Sequence, residues 1–380
     1  MRALHVITGL GVGGAEQQLR LLLRHLPAQC DVVTLTNPGA VAAGLAADGV
    51  RVTHLGIRGN HDLGALPRLT RLIRSGGYDL VHTHLYRACL YGRIAARLAG
   101  VRAVVATEHS IGDTRLEGRP LTPGVRALYL AGERLGRTTV AVSPTVGERL
   151  RHWGVPGARI RVIPNGIDAP RFRFDEVGRK KARAFYGLPQ DVYVVGGVGR
   201  LAAGKRFELL VRALPQLPGD VRLLLVGGGP EEEMLRRIAR ELGVADRMVL
   251  TGERPYLPDP GDDAPDLVAL LSAMDVLASP SAEESFGLAV VEALAAGLPV
   301  LYANCPAVED LPPEAAPGAR RVVGGAAAYA RELLRLQAAG PGDRTVPAAV
   351  HRYDIAHSAR QLMDVYTAAL AGSNLEVSSP

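Results

Sequence analysis

The stretch Glu284-Ser-Phe-Gly-Leu-Ala-Val-Val-Glu292, continuing Ala-Leu-Ala-Ala-Gly297-Leu-Pro299-Val, sets two carboxylates eight residues apart where a turn runs into a helix. At 3.6 residues per turn, eight positions come to about 800°, so a helix through the stretch returns Glu292 near the phase of Glu284. Both acids are then expected to face one ligand. Ser285, Phe286 and Gly287 read as the helix opening, where free backbone N–H groups and the positive end of the macrodipole suit an anionic phosphate. Carboxylates for hydroxyls beside amides for phosphate describe a nucleotide-sugar site.

Outward from this stretch, short apolar runs alternate with amphipathic helical patterns along the whole chain. Strands are expected near residues 3–7, 31–35, 51–55, 79–82, 102–107, 138–142 and 160–163, then near 192–198, 221–226, 247–251, 275–278, 299–302 and 320–323. That alternation predicts an α/β fold of two doubly wound Rossmann-like domains, each a parallel sheet with helices on both faces. Such sheets bind ligands at the C-terminal ends of their strands, so two facing each other would enclose a cleft. The expected divisions are residues 1–168, a linker at 169–182, a second domain at 183–355, a final helix at 356–371 and a disordered polar tail at 372–380. A Pro- and Asp-rich loop is expected at 254–266.

A chain of 380 residues with 47% hydrophobic and 22% charged residues is an ordinary globular composition, and its length suits two cores better than one. Residues 2–7 lead straight into a Gly-rich turn and read as a first strand, not a signal peptide. Glu292 and Pro299 interrupt the longest apolar stretch, which excludes a membrane span there. Cys30, Cys89 and Cys305 are scattered and lack metal-ligand spacing, as expected of a protein in a reducing cytosol. Charge is unevenly divided: residues 1–175 hold 23 Arg, no Lys and 12 Asp or Glu, a net +11, and the remainder carries −5. A basic half attracts an anionic substrate or rests peripherally on an anionic membrane, and it also describes a solvated Arg-rich surface. No nucleic-acid partner is expected.

Further motifs follow in order: Gly11-Val-Gly13-Gly14-Ala-Glu16, Thr107-Glu108-His109-Ser110, Val142-Ser143, Ile163-Pro-Asn165-Gly166-Ile-Asp168, Gly199-Arg200 with Lys205, and Leu225-Val-Gly227-Gly-Gly229-Pro230. With the Glu284–Glu292 pair, their order and spacing resemble retaining glycosyltransferase family 4 over roughly residues 1–305. The resemblance implies the GT-B architecture, a nucleotide-sugar donor with UDP favoured, and transfer of a hexose to an acceptor hydroxyl. In that reading Arg200 and Lys205 stabilise the departing diphosphate, so no metal and no cofactor are required. Glu292 accepts the ribose hydroxyls and Glu284 holds the donor sugar. Phe286, Gly287 and Leu288 offer amides, Gly13, Gly14, Gly199 and Gly229 admit the donor closely, and His109 touches donor sugar or acceptor. No dependable protein nucleophile is implied, and the expected step is a same-side displacement in which a phosphate oxygen takes the acceptor proton.

A nicotinamide-dependent oxidoreductase is the competing class, but Gly11-x-Gly13 is followed by Glu16 where the dinucleotide fingerprint needs a third glycine. His82 and His84, at the end of another strand, read as structural at least as well as functional. On the acceptor side Glu16 is a further carboxylate, while Glu108, Asp113 and Glu117 suit the ammonium groups of a soluble aminocyclitol, in an enzyme similar to the aminoglycoside-antibiotic glycosyltransferases, or simply pair with Arg115 and Arg119 as a solvated surface. The basic N-terminal half counts against the aminocyclitol, and a polyprenyl-diphosphate-linked envelope glycan is the rival acceptor. For the latter, Arg68, Arg71 and Arg74 with Leu69, Leu72 and Ile73 are the candidate membrane-docking stripe, although ordinary amphipathic packing explains the same pattern.

Overall fold

The computed structural model describes residues 1–59, 62, 64–112, 115–116, 119–254, 263–340 and 342–377. It contains two compact units, Met1–Gly166 with Ile355–Pro380, and Ile167–Asp354. In the first unit the strands are β1 (Arg2–Gly9), β2 (Gln29–Asn37), β3 (Arg51–His54), β4 (Leu80–His84), β5 (Ala103–Glu108), the two-residue β6 (Arg115–Leu116) and β7 (Arg119–Pro120), β8 (Thr138–Ala141) and β9 (Ile160–Val162). Seven of them form one parallel sheet in the order β3-β2-β1-β4-β5-β8-β9, while β6 and β7 pair antiparallel. The second unit holds β10 (Val194–Val198), β11 (Arg222–Val226), β12 (Met248–Leu250), β13 (Val276–Ser279), β14 (Val300–Tyr302) and β15 (Ala319–Arg321), all parallel, in the order β12-β11-β10-β13-β14-β15. Every strand expected from the apolar runs is present, with ends within two residues of those read.

Period-2 alternation explains how each face of the seven-stranded sheet is covered. Leu4, Val6, Val81 and Val104 point to one face, under the helix Ala65–Gly76, while Ala3, Ile7, Val105 and Val140 point to the other. That second face is closed by the helix Gly14–Leu23 and by the C-terminal helix Ile355–Val377, which lays Ile355, Ala359, Leu362, Val365 and Tyr366 against it. Gly166 is required where the chain passes Ile355, because a Cβ there would overlap the Ile355 backbone.

Two expectations about boundaries are corrected. Residues 176–185, of which 176–182 are read as linker, form a helix capped by Asp175, whose Oδ1 accepts from the Val177 amide at 2.9 Å. Its Arg183 is fully buried in the second unit, bonded to Asp275 and to the carbonyls of Ala273, Pro189, Gln190 and Val192. A run of charge hid a helix because one arginine points inward. At the other end the C-terminal helix runs to Val377, past the expected tail start at Gly372, whose carbonyl accepts from Arg137 at 3.2 Å. Of the 254–266 loop, residues 255–262 lie outside the described part, and Asp266 caps the helix Leu267–Ala273.

Candidate functional site

The strand order of the second unit reverses between β10 and β13, and ligands of doubly wound sheets settle at such a switch point. The loops that leave these two strands carry Arg200 and Lys205 on one side and Glu284 on the other. They are stitched together by two hydrogen bonds: the Arg206 side chain donates from Nε to the Pro280 carbonyl at 2.8 Å, and the Ala282 amide to the Gly204 carbonyl at 3.0 Å. Lys205 Nζ forms an ion pair with Glu284 Oε1, and both side chains remain partly open to solvent. The Glu284 amide donates to Asn304 Oδ1 at 3.2 Å. Asn304 follows β14 and carries no motif, so sequence reading missed it. Arg200, on the same loop as Lys205, is exposed.

Glycines set the closeness of these loops. The Leu201 amide donates to the Gly228 carbonyl at 2.8 Å and the Glu231 amide to the Leu201 carbonyl at 3.0 Å. A Cβ on Gly229, at φ 156°, would overlap the Leu201 carbonyl, and one on Gly227 would overlap that of Gly199. Of the two glycines read from sequence as admitting a donor, Gly229 therefore first admits the Leu201 backbone, and Gly199 supplies the backbone that Gly227 admits.

Contrary to the expected shared helical phase, Glu284 and Glu292 do not lie on one helix. The helix begins at Leu288, with Gly287 as its N-cap at φ 100°, so Glu284 lies in the turn before it and Ser285 and Phe286 do not open it. The Phe286 ring is buried and meets Tyr353 edge-on at 4.9 Å, while its carbonyl accepts from the Ala307 amide at 2.9 Å. Phe286 thus anchors the turn. Leu288, the first helical residue, is half-buried. Glu292, one turn into the helix, is 2% exposed, and its Oε1 is buried without a hydrogen-bond partner among the described residues. Burial pushes its carboxyl up to about 8. A lone buried carboxyl oxygen costs free energy that a ligand hydroxyl would recover.

In the first unit Gly13 caps the helix Gly14–Leu23, and the Glu16 carboxylate in its first turn folds back over Gly13. A side chain on Gly13 would collide with it. His109 lines a small recess with His84, Thr107, Gln18, Asn165 and Ser358. Its volume of about 30 Å³ is room for one or two waters. Burial pulls the His109 imidazole down to about 4. Glu108, placed on the acceptor side from sequence, is 1% exposed and accepts from the Tyr129 hydroxyl at 2.9 Å, a position inside the fold. Asp113 and Glu117 lie outside the described residues. The ring nitrogens of His5, His82 and His84 come within 4.8 Å of one another, a grouping that their separation in sequence conceals. Sequence reading missed His5 altogether.

Arg68, Arg71 and Arg74 are exposed on the helix Ala65–Gly76, whereas Leu69 and Ile73 are buried in the core. The stripe is therefore ordinary amphipathic packing. Arg68 is bonded to Asp62 at 2.9 Å, and Arg74 to the Leu98 carbonyl at 2.6 Å. Among the described residues no helix is long and apolar enough to cross a membrane.

The sequence profile of Glycosyltransferase Family 4 matches residues 12–171, and that of Glycosyl transferases group 1 matches residues 178–336. The D-inositol 3-phosphate glycosyltransferase of Streptomyces avermitilis is 34% identical over 338 residues, covering 80% of this chain and 68% of that protein. The protein of the same name from Mycobacterium tuberculosis strain H37Ra is 33% identical over 295 residues, 73% of this chain but 58% of its own length. Among solved structures, HepE of Anabaena in complex with UDP-glucose superposes with a TM-score of 0.82 at 22% identity, over 97% of this chain and all of HepE. The sucrose-phosphate synthase of Thermosynechococcus elongatus gives 0.75 at 22% identity, over 98% of this chain and all of that one.

Proposed function

Since the chain belongs to glycosyltransferase family 4 and has the GT-B fold, we propose that it moves a hexose from a UDP-sugar to an acceptor hydroxyl, with retention at the anomeric carbon and without a metal ion. The observation that carries the reading is Glu292, a buried carboxyl with an unpartnered oxygen on the helix that follows the Lys205–Glu284 pair. Two vicinal ribose hydroxyls are donors of the right kind to satisfy it. Lys205 and Arg200 then stand by the diphosphate, where negative charge grows as the glycosidic bond breaks. Fixed cations there do the work that a divalent ion does elsewhere. Glu284, held by Lys205 and Asn304, accepts hydroxyls of the donor sugar. With no carboxylate assigned as nucleophile, the leaving phosphate oxygen takes the acceptor proton on the same face. The base is read as uracil because HepE, of the same fold, is complexed with UDP-glucose.

For the acceptor, we favour a soluble cyclitol. The named relatives are inositol phosphate glycosyltransferases, and an aminocyclitol is the cationic member of the same chemical class. The net +11 of residues 1–175 favours a phosphorylated cyclitol over an aminated one. The lipid-linked alternative loses its main support, because the apolar side of the Arg68–Arg74 helix is spent on the core. Thermal stabilisation tests the reading, since a ligand that binds only the folded state raises its melting temperature. UDP-sugars are expected to stabilise, with a further rise on adding inositol phosphate or an aminocyclitol. A response to NAD(P) alone overturns the proposal, and a UDP-sugar response indifferent to every cyclitol moves the acceptor to a lipid-linked glycan.

A further inference from the structure

Four histidines of the first unit are joined end to end. His5 and His82 are register partners on β1 and β4, His84 lies two residues on from His82, and His84 is the register partner of Thr107 on β5. Their side chains share one face of the sheet, under Tyr366 of the C-terminal helix. Thr107 Oγ1 lies 2.7 Å from His82 Nε2, and His82 Nδ1 lies 2.6 Å from the Tyr366 hydroxyl. That hydroxyl reaches His5 Nε2 at 3.5 Å, the longest link. His5 Nδ1 meets His84 Nε2 at 3.0 Å, and His84 Nδ1 meets His109 Nε2 at 3.1 Å. His109 Nδ1 ends the chain, buried and without a partner among the described residues.

Burial keeps all four rings in their neutral form, with His5 down to about 3, His109 to about 4, and His82 and His84 well below the ordinary value. A neutral imidazole gives one hydrogen bond and takes one, so the links must all point the same way. Two settings of the chain are allowed. In one, His82 donates to Thr107, which leaves the Thr107 proton without an acceptor among the described residues and His109 Nδ1 a bare lone pair. In the other, Thr107 donates to His82, His82 to Tyr366, Tyr366 to His5, His5 to His84 and His84 to His109, so His109 Nδ1 carries the proton. The second setting leaves one unmet group where the first leaves two, and unmet buried polar groups are costly.

We propose that Thr107, His82, Tyr366, His5 and His84 are positioning residues that act as one hydrogen-bonded relay, fixing His109 as the Nδ1–H tautomer and giving its recess a donor for a ligand oxygen. Zinc is the other use for three grouped imidazoles, but every ring nitrogen of His5, His82 and His84 already has a partner. The ligand half of the proposal rests on the glycosyltransferase reading, while the relay is a property of the free protein.

The test is the pattern of protonated and bare ring nitrogens in long-range proton–nitrogen NMR spectra of ligand-free protein labelled at histidine. Wild type is expected to show His109 protonated at Nδ1. Thr107→Val makes the two settings nearly equal, so the Nδ1–H form falls to a mixture, and Thr107→Ser, which keeps the hydroxyl, restores it. Tyr366→Phe cuts the chain between His82 and His5. In that background, adding Thr107→Val is expected to leave the His109 signals unchanged. A His109 signal identical in wild type and folded Thr107→Val overturns the relay, as does tight stoichiometric zinc binding that abolishes these ring N–H signals. Adding UDP-sugar separates the two claims: movement of the His109 signal supports the ligand half, whereas an intact relay with an unmoved signal removes only that half.

Discussion

Replacing Glu292 by Gln keeps the shape of the side chain and removes its charge. The folded carboxyl titrates at about 8 against an ordinary 4.5, a gap of about 3.5 units that converts to about 5 kcal/mol as an upper bound. Because the folded value is the raised one, the stability it contributes is fully present below about 4.5 and is lost progressively as pH rises through about 8. Glu292→Gln has no such proton to lose. Its advantage over wild type is expected to be smallest near pH 5 and to grow by up to about 1.4 kcal/mol per pH unit until pH 8. The assay is urea unfolding followed by circular dichroism at pH 5 to 9, where relaxation of the site brings the total to a few kcal/mol. Ribose hydroxyls that satisfy the ionised carboxylate would reverse the balance in the complex. Affinity for UDP is therefore expected to rise from pH 7 to 8 in wild type, and to be about tenfold or more weaker in the variant, the worth of charged hydrogen bonds. A stability difference that stays constant across pH refutes the reasoning about burial. Equal UDP affinity in the two proteins refutes the assignment of Glu292 to the nucleotide.

Three further outcomes follow from the same geometry. Lys205→Ala and Glu284→Ala are each expected to lower turnover by about 100-fold or more, with unfolding changed by less than about 1 kcal/mol because the pair is partly exposed; near-normal turnover in a folded variant contradicts their role. Initial rates with and without EDTA are expected to agree, and loss restored by Mg2+ or Mn2+ would show that a metal takes part. Gly229→Ala forces a Cβ onto the Leu201 carbonyl and is expected to destabilise the second unit by about 1–3 kcal/mol, read as a lower urea midpoint; an unchanged midpoint would mean that the loop yields freely.

The parallel sheets were legible because buried strands write themselves as short apolar runs such as Leu223-Leu-Leu-Val226, and because Gly227 and Gly229 mark the tight turn that follows. Asp175 and Arg183 show where reading failed. A capping acid and an inward-pointing arginine look, in sequence, like solvated charge, and only their bonds to the Val177 amide and to Asp275 reveal a helix docked on a core. Spacing singles out Glu284 and Glu292, but a shared helical phase does not join them, since Gly287 at φ 100° starts the helix after Glu284. His5 and Asn304 could not be found in this way. His5 joins its cluster through strand register and Asn304 through a loop hydrogen bond to the Glu284 amide, contacts between residues far apart in the chain.

Transfer from a nucleotide sugar with retention is read directly from the anomeric proton of the product. UDP-glucose is incubated with the protein and an inositol phosphate, and the new glycoside is examined by proton NMR. UDP release is expected to be matched by a glycoside with the small anomeric coupling of an α-linkage, the configuration of the donor. A large coupling, marking a β-linkage, would contradict retention and the same-side displacement built on Lys205, Glu284 and Glu292.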